Sequence, residues 1–269
     1  MNDVVKMMIG REIGERYPAR EVTIGAPVLE VQHLTCPGTF EDISFEVRAG
    51  EVLGVSGLMG AGRTEIMQAI FGNMPHVTGH ILLNGTEIQN TNPYTAIKNG
   101  IGFITEDRKV EGLMLEESIT KNISLANLNR ISKHNVLSKE QEQNLVQRGI
   151  DELRIRCSSS EQTCGSLSGG NQQKVIFAKW MFTEPKVLIL DEPTRGVDIG
   201  AKKEIYMLIN TLAAQGVAII MVSSELPEVL GMSDRIMVVH EGHITGTLSK
   251  EEANQENIMI LATGGKLNE

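Results

Sequence analysis

The chain has 269 residues, of which 41% are hydrophobic, 22% charged and only 4% aromatic, a composition typical of one large globular domain or two small ones. Its 34 acidic and 25 basic residues leave a formal net charge of −9, so it lacks the positive field that binds a nucleic acid backbone. Three cysteines without a CxxC pair favour a reducing compartment, and no segment approaches the roughly 20 apolar residues of a membrane span. We therefore expect a protein that is neither secreted nor membrane-spanning and has no nucleic acid partner.

Apolar runs bounded by turn residues predict a series of strands. Runs near the N-terminus alternate apolar and polar residues, which is typical of antiparallel strands with one face in solvent. The runs VLIL and VAIIMV are continuously apolar and flanked by helical patterns, which indicates parallel strands buried on both faces of an α/β sheet. Between Gly112 and Gly165 helix-forming polar residues predominate and predict a helical insert. The predicted strands are 28–34, 43–47, 51–57, 79–85, 101–105, 186–190, 217–224 and 235–240.

The strand at 51–57 leads directly into a glycine-rich loop and then into a helical pattern, the order found in phosphate-binding P-loops. Glycines let backbone amides close on phosphate oxygens, and the N-terminus of the following helix adds a partial positive charge. Thr64 can offer its hydroxyl to Mg²⁺, but Arg63 stands where the P-loop pattern has lysine. Taken alone, such a loop is equally compatible with a tight strand-to-helix turn. The candidate loop residues are Gly57, Leu58, Met59, Gly60, Ala61, Gly62, Arg63 and Thr64.

Two further segments strengthen the phosphate interpretation. The strand at 186–190 ends in Asp191 and Glu192, an arrangement that predicts one carboxylate near a magnesium-bound water and the other near a water attacking a γ-phosphate. Upstream, LSGGNQQKV (167–175) predicts a helix capped by Ser168, whose paired glycines expose backbone donors and form a second anion site. Because one nucleotide rarely requires two phosphate cradles, the second site points to a nucleotide held elsewhere.

The combination resembles the nucleotide-binding domain of ATP-binding-cassette (ABC) transporters, in which the LSGGQ signature faces the nucleotide of an opposing domain. The match includes the EDR segment (106–108) at the Q-loop position, the D-loop (196–198) and VSSE (222–225) at the switch-loop position. The segments EDRKVEGL, LSGGNQQKV, DEPTRGVDIGAKKEIY and VSSELPEVLGMSDRI are most similar to the second cassette of bacterial monosaccharide importers. The resemblance implies an α/β P-loop NTPase fold with an antiparallel β subdomain, a parallel core sheet and a helical subdomain.

The same resemblance implies an organisation along the chain. The opening MMIGREIGERYP is similar to the segment that closes the first cassette in that family, so we expect a carboxy-terminal half. The expected parts are a linker-like segment at 1–27, antiparallel strands and P-loop at 28–111, a helical subdomain ending in the signature at 112–180, and the remaining core with a C-terminal helix at 181–269.

ATP and Mg²⁺ are the implied cofactors, and each motif supplies an implied role. Glu192 is the expected catalytic residue, and Thr64, Asp191 and Glu106 are the expected magnesium ligands. Glu106 and Ser224, with the P-loop, are expected to contact the chain's own nucleotide. The residues expected to contact a partner's nucleotide are Ser168, Gly169, Gly170, Asn171 and Gln172.

Three positions depart from the general cassette pattern. Arg63 replaces lysine, Glu106 stands where glutamine is usual, and Ser224 stands where the switch histidine is usual. A carboxylate at 106 repels phosphates unless magnesium intervenes, and serine cannot supply the cationic donor of an imidazolium. We therefore expect slow hydrolysis at the chain's own site beside an intact signature that serves a partner.

The resemblance implies an ATPase on the cytoplasmic face of the bacterial inner membrane that couples ATP hydrolysis to import of ribose or a related monosaccharide. Its implied partners are a first cassette, in the same polypeptide or a separate chain, or a second copy, together with a membrane permease and, indirectly, a sugar-binding protein. Two alternatives remain: an ABC ATPase without a transport role, or a cassette that binds nucleotide without hydrolysing it.

The sequence also suggests a docking groove, a base-stacking position and several core methionines. An exposed apolar groove near 106–130 would receive a helix of the permease, as in the family. Phe40 is the nearest aromatic to the position where cassettes stack the adenine base. Met7, Met8, Met207 and Met221 lie in apolar patterns and are expected in the core.

Overall fold

Two β-sheets form the centre of the computed structural model, which describes residues 17–20, 22–134 and 136–267. The strands are β1 (Pro27–Cys36), β2 (Phe40–Arg48), β3 (Val52–Ser56), β4 (Thr78–Leu83), β5 (Thr86–Ile88), β6 (Ile101–Ile104), β7 (Ser132–Lys133), β8 (Val136–Leu137), β9 (Val187–Asp191), β10 (Ala218–Val222), β11 (Arg235–His240) and β12 (His243–Ser249). The α-helices are α1 (Arg63–Ile70), α2 (Pro93–Asn99), α3 (Ile119–Ser124), α4 (Leu128–Ile131), α5 (Lys139–Glu152), α6 (Gly169–Met181), α7 (Ile199–Ala214), α8 (Leu226–Met232) and α9 (Gln255–Ala262).

The larger sheet has six strands in the order β12–β11–β3–β10–β9–β6. All its neighbouring pairs are parallel except the edge pair β11–β12. Every residue of β9 and β10 is buried, which explains why their sequences are continuously apolar. The prediction of a parallel core sheet is therefore confirmed, and the carboxyl ends of β3, β9 and β10 meet at one edge.

The smaller sheet is antiparallel, in the order β2–β1–β4–β5. Its first pair joins Leu29 to Val47 and Val31 to Phe45, in the segments whose alternating pattern predicted antiparallel strands. The prediction is confirmed, although β5 was not expected because its three residues include two exposed polar ones. The antiparallel edge strand β12 was also missed, since it carries exposed or half-buried residues and an internal glycine.

The region between the P-loop strand and the signature contains the predicted helical insert. Helices α3, α4 and α5 lie between Gly112 and Gly165, and α3 packs against α6. A short antiparallel pair, β7–β8, with two residues in each strand, interrupts the helices and was not predicted. A π-helical turn at Arg108–Gly112 connects β6 to this region, and Asp107 caps it by accepting hydrogen bonds from the amides of Lys109 and Val110.

Part of the expected linker-like segment packs on the core. Tyr17 is buried with its ring centroid 5.1 Å from that of Tyr206, and Arg20 forms an ion pair with Asp234. Residues 1–16, which include Met7 and Met8, lie outside the described residues.

Two expectations about methionines can be compared with the fold. Met221 is fully buried in β10, as expected. Met207 is 54% exposed on α7, so its assignment to the core was wrong: it lies on the outer face of an amphipathic helix whose buried side carries Tyr206 and Ile209. Among the described residues, no helix combines the length and the apolar character needed to cross a bilayer.

Candidate functional site

A cleft of about 620 Å³ opens at the carboxyl edge of the parallel sheet, and we call it the phosphate cleft. It is lined by the whole loop 57–64, Glu106, Asp191, Glu192 and Ser224, so the structure brings together every residue predicted for the chain's own nucleotide. Residues that were not predicted also line it. These are Ser56, Glu65, Arg195, Gly196, Glu225, Leu226, Ile258, Met259 and Ala262.

The P-loop follows β3 closely because its glycines allow it to. A Cβ on Gly57 would lie 2.3 Å from the carbonyl oxygen of Val239, so only glycine fits there. Gly62 has a φ of 99° and ends the loop at the position before α1. No side chain caps the first turn of α1, so its amides and the positive end of its dipole are available to an anion in the cleft.

Arg63, the residue that replaces the expected lysine, reaches across the cleft. Its Nη1 donates a hydrogen bond to the carbonyl oxygen of Ser223 at 3.1 Å. Burial raises the pKa values of Asp191 and Glu192, and the positive charge of Arg63 partly opposes this rise. Part of the guanidinium fork is thus used to hold the switch segment against the P-loop.

Asp191, at the end of β9, is a buried carboxylate. It is 1% exposed, and neither of its oxygens has a hydrogen-bond partner in the protein. Burial raises the pKa of Asp191 to about 6, and the nearby Thr64 hydroxyl partly offsets this rise. Such an orphaned carboxylate beside a hydroxyl is a fitting pair of ligands for a small, hard cation such as Mg²⁺.

Glu192 is held by the switch segment. Its Oε1 accepts a hydrogen bond of 2.7 Å from the Ser224 amide, and its own amide donates to the carbonyl oxygen of Val222 at 2.9 Å. Its φ of 49° is unusual for a residue with a side chain, a form of backbone strain that clusters at functional sites. Burial raises the pKa of Glu192, and the hydrogen bonds from Ser224 oppose this rise. The carboxylate is therefore fixed and suited to accept a proton.

Glu106 lies in the phosphate cleft but is not a free carboxylate. It forms an ion pair with Arg195, a residue that the sequence interpretation overlooked. The neighbouring Arg108 donates hydrogen bonds to the carbonyl oxygens of Arg195 at 2.5 Å and Gly196 at 3.1 Å, and to Oε1 of Gln172 at 3.2 Å. The EDR segment thus connects the D-loop to the signature helix.

The signature residues form a second opening, the signature cleft, of about 250 Å³ at the N-terminus of α6. Ser168, Gly170 and Asn171 line it, together with Arg156 and Lys174, which were not predicted. Ser168 occupies the N-cap position without the expected side-chain cap, and its hydroxyl accepts a hydrogen bond from Nδ2 of Asn171 at 2.9 Å. The first amides of α6 therefore have no side-chain cap and remain open to an anion.

The remaining two signature residues do not line this cleft. Gln172 is buried, donates to the carbonyl oxygen of Cys164 at 3.1 Å and accepts from Arg108, so its side-chain amide is hydrogen-bonded within the chain. Gly169 is half-buried, and a Cβ there would lie 2.9 Å from Nη2 of Arg108. The two clefts share no lining residue, so the signature is not part of the phosphate cleft of its own chain.

The aromatic residue that the sequence suggested for stacking on the adenine base is not exposed to the phosphate cleft. Phe40 is 3% exposed and belongs to the hydrophobic core, so it cannot stack on a ligand. The phosphate cleft instead has an apolar side formed by Leu226 of α8 and by Ile258, Met259 and Ala262 of α9. Only tertiary structure brings these late helices to the P-loop, and no local sequence pattern marks them.

Comparisons with known proteins agree with this geometry. The chain is 58% identical over 265 residues to a ribose import ATP-binding protein of Bacillus cereus, and 57% identical over 265 residues to the protein of that name from Bacillus subtilis. These matches cover 98% of this chain but only 53% and 54% of the relatives, so the chain spans about half their length.

The fold has solved counterparts. A nucleotide-free ATP-binding cassette from an ABC transporter superposes with a TM-score of 0.72 at 21% identity, over 87% of this chain and 95% of that one. The family model described as ABC transporter matches residues 40–195, which include the P-loop, the EDR segment, the signature and the Asp191–Glu192 pair. The chain therefore belongs to the ABC transporter family.

Proposed function

We propose that this chain is the ATP-binding half of an ABC importer for ribose or a related monosaccharide, and that it couples ATP binding and hydrolysis to transport. The identity of 57–58% to ribose import ATP-binding proteins supports the substrate class. We also propose the domain organisation that the sequence suggests: a linker-like segment at 1–27, followed by three parts of a cassette at 28–111, 112–180 and 181–269.

ATP would bind in the phosphate cleft, with its phosphates on the amides of the P-loop and of the first turn of α1. Mg²⁺ would be held by the Thr64 hydroxyl and the Asp191 carboxylate, whose two oxygens lack a partner in the protein. When bound, the ion neutralises phosphate charge and orients the terminal phosphate. Glu106, the third predicted ligand, is paired with Arg195 and would serve only after that pair opens.

Glu192 would act as the general base. Its carboxylate is fixed by the Ser224 amide and lines the same cleft as the P-loop, so it can take a proton from a water that attacks the γ-phosphate. Arg63 would contribute positive charge, but its bond to the Ser223 carbonyl restricts how it meets the phosphates. Ser224 offers no cationic donor. These features support slow turnover at this site.

One observation carries the proposal: the open N-terminus of α6 faces the signature cleft, which shares no lining residue with the phosphate cleft. An anion site built from Ser168, Gly170 and Asn171 thus has no nucleotide of its own. Arg156 and Lys174 line the same cleft as Asp198 and Glu204, and Lys174 is paired with Glu204 at 2.5 Å. We infer that it completes the nucleotide site of a partner cassette.

Exposed apolar side chains near the clefts support a paired assembly. Met59 in the P-loop is 98% exposed and Ile199, at the start of α7, is 77% exposed, so a partner cassette would cover both. A structurally similar cassette was solved as a dimer bound to ADP and phosphate, with a TM-score of 0.70 at 16% identity over 82% of this chain and 98% of that one. The partner would be a first cassette or a second copy.

A membrane permease is the proposed output partner. Val110, Met114, Leu125 and Leu128 are exposed apolar side chains within the 106–130 region expected to receive it. Through the permease the assembly would meet a sugar-binding protein indirectly and would lie peripherally on the cytoplasmic face of the inner membrane.

ATP occupancy and phosphate release, measured for this chain with and without the first cassette, test the proposal. We expect the isolated chain to bind ATP and to release phosphate at least tenfold more slowly than the pair. Turnover by the isolated chain at the rate of the pair, abolished by Glu192→Gln, would contradict the proposed asymmetry. Binding without any release in either preparation would favour a nucleotide-gated scaffold, for which the restrained Arg63 is the observation in favour.

A further inference from the structure

The pairing of Glu106 with Arg195 addresses a problem of charge in the phosphate cleft. Among the described residues that line it, acids outnumber bases. The acids are Glu65, Glu106, Asp191, Glu192 and Glu225, and the bases are Arg63 and Arg195. Such a cleft repels a triphosphate unless its carboxylates are neutralised or held away from the P-loop amides.

Several of these charges already have partners. Glu225 is paired with Lys202 at 2.5 Å, and Arg63 is hydrogen-bonded to the Ser223 carbonyl. Without Arg195, the Glu106 carboxylate, whose side chain is 40% exposed, could turn towards the donors that phosphate would use. Its carboxylate would then compete with ATP as an anion supplied by the chain itself.

The backbone on both sides of the ion pair is fixed. The amide of Arg195 donates to the carbonyl oxygen of Glu192 at 3.0 Å, and its own carbonyl accepts from Arg108 at 2.5 Å. The residue after Glu106 is Asp107, which caps the π-helical turn through two amides at 2.9 and 3.2 Å. The two side chains are therefore presented to each other by anchored segments from different parts of the chain.

We infer that Arg195 is a positioning residue that tethers the Glu106 carboxylate and keeps it from the P-loop donors, so that ATP can bind. This inference rests on the proposed ATP-binding function of the phosphate cleft. It assigns to the residue directly before the D-loop a part in the chain's own nucleotide site, and it explains how an acid is accommodated at the Q-loop position.

A double-mutant cycle on the full chain tests the tether, with ATP affinity in the presence of Mg²⁺ measured by calorimetry. We expect Arg195→Gln to weaken ATP binding about tenfold more in the wild-type background than in the Glu106→Gln background, because no competing carboxylate remains in the second case. Arg195→Lys should retain most of the affinity. The difference between backgrounds should shrink as salt is raised, since the competition is electrostatic.

Arg130→Gln is the matched control, because it removes the same charge from an exposed ion pair with Glu184 outside both clefts. Unfolding temperatures of all variants separate a loss of affinity from a loss of fold. An equal loss in both backgrounds would overturn the inference, because Arg195 would then act directly on the phosphates. A wild-type chain that binds no ATP would overturn the proposed function and the inference with it.

Discussion

The phosphate cleft and the signature cleft show how differently one chain treats two anion sites. In the phosphate cleft, side chains make many contacts within the protein: Arg63 with Ser223, Glu106 with Arg195, and Glu192 with Ser224. In both clefts the first amides of a helix have no side-chain cap, but the signature cleft is lined by neither the P-loop nor the Asp191–Glu192 pair. The first site is complete but restrained, and the second is open but incomplete. On the proposed function, we therefore expect the chain's largest catalytic contribution to be made to a nucleotide that it does not hold.

The first prediction concerns a negative charge added beside the signature cleft, at the first residue of α6. Gly169→Asp places a carboxylate at the N-terminus of α6, where it would repel the phosphates of the partner's ATP. We expect phosphate release by the paired cassettes to fall by at least about a hundredfold, while ATP binding by the isolated variant is retained.

Ser159→Asp is the control for this first prediction, because it adds the same charge to an exposed loop outside both clefts. It should leave phosphate release by the pair unchanged. Loss of ATP binding in the isolated Gly169→Asp chain would mean that the signature serves its own nucleotide, contrary to the separation of the two clefts.

The second prediction concerns a variant that replaces the three unusual residues of the phosphate cleft. The triple variant Arg63→Lys, Glu106→Gln and Ser224→His introduces the residues usual in the general cassette pattern. We expect the turnover of the isolated chain to rise about tenfold, because a compact ammonium and an imidazole become available to the phosphates. Steady-state phosphate release measures the change, and an unchanged or lower rate would show that other features limit this site.

The third prediction concerns a variant that weakens the connection between the D-loop and the signature helix. Arg108 donates hydrogen bonds to Arg195, Gly196 and Gln172, so it joins the D-loop to the signature helix. Arg108→Ala should lower the free energy of unfolding by about 1 kcal/mol, because these charge-assisted bonds are partly exposed to solvent. Denaturant unfolding measures this change, with Arg148→Ala on the exposed face of α5 as the control; a loss no larger than in that control would contradict the connecting role.

The fourth prediction concerns the dependence of stability on pH. Burial raises the pKa of Asp191 from its ordinary value of 3.8 to about 6, so the folded chain favours the protonated acid. The associated stabilisation is complete below the unfolded pKa and is lost as pH rises through 6. Asp191→Asn should therefore stabilise the nucleotide-free chain more at pH 7 than at pH 5, by about 1 kcal/mol. Denaturant unfolding at both pH values measures this difference, and equal stabilisation would show that Asp191 is not strained by burial.

The sequence alone predicted the buried parallel strands and the glycine loop, because each of these features depends on the residues at those positions. The continuous apolar runs of β9 and β10 and the glycines at 57 and 62 reflect burial and backbone geometry at the residues themselves. The partner of Glu106 could not be found in this way, because Arg195 lies 89 positions further along the chain and only the fold brings the two together.

Other differences have similarly specific causes. Ser168 is a residue type that commonly caps helices through its side chain, but here its hydroxyl accepts a hydrogen bond from Nδ2 of Asn171 and caps no backbone amide. Phe40 lies at the position suggested for base stacking, yet the packing of the antiparallel sheet buries it in the core. The apolar lining from α9 depends on how the last helix docks, and no periodicity within Gln255–Ala262 reveals that contact.

Phosphate release by the paired cassettes, compared in one assay for Gly169→Asp and for Glu192→Gln in this chain, tests the asymmetry most directly. We expect the signature variant to lose more than about 99% of the activity and the general-base variant to keep more than about half of it. If the two variants lose activity equally, or if Glu192→Gln causes the greater loss, the chain hydrolyses its own nucleotide as a full partner and the central claim is wrong.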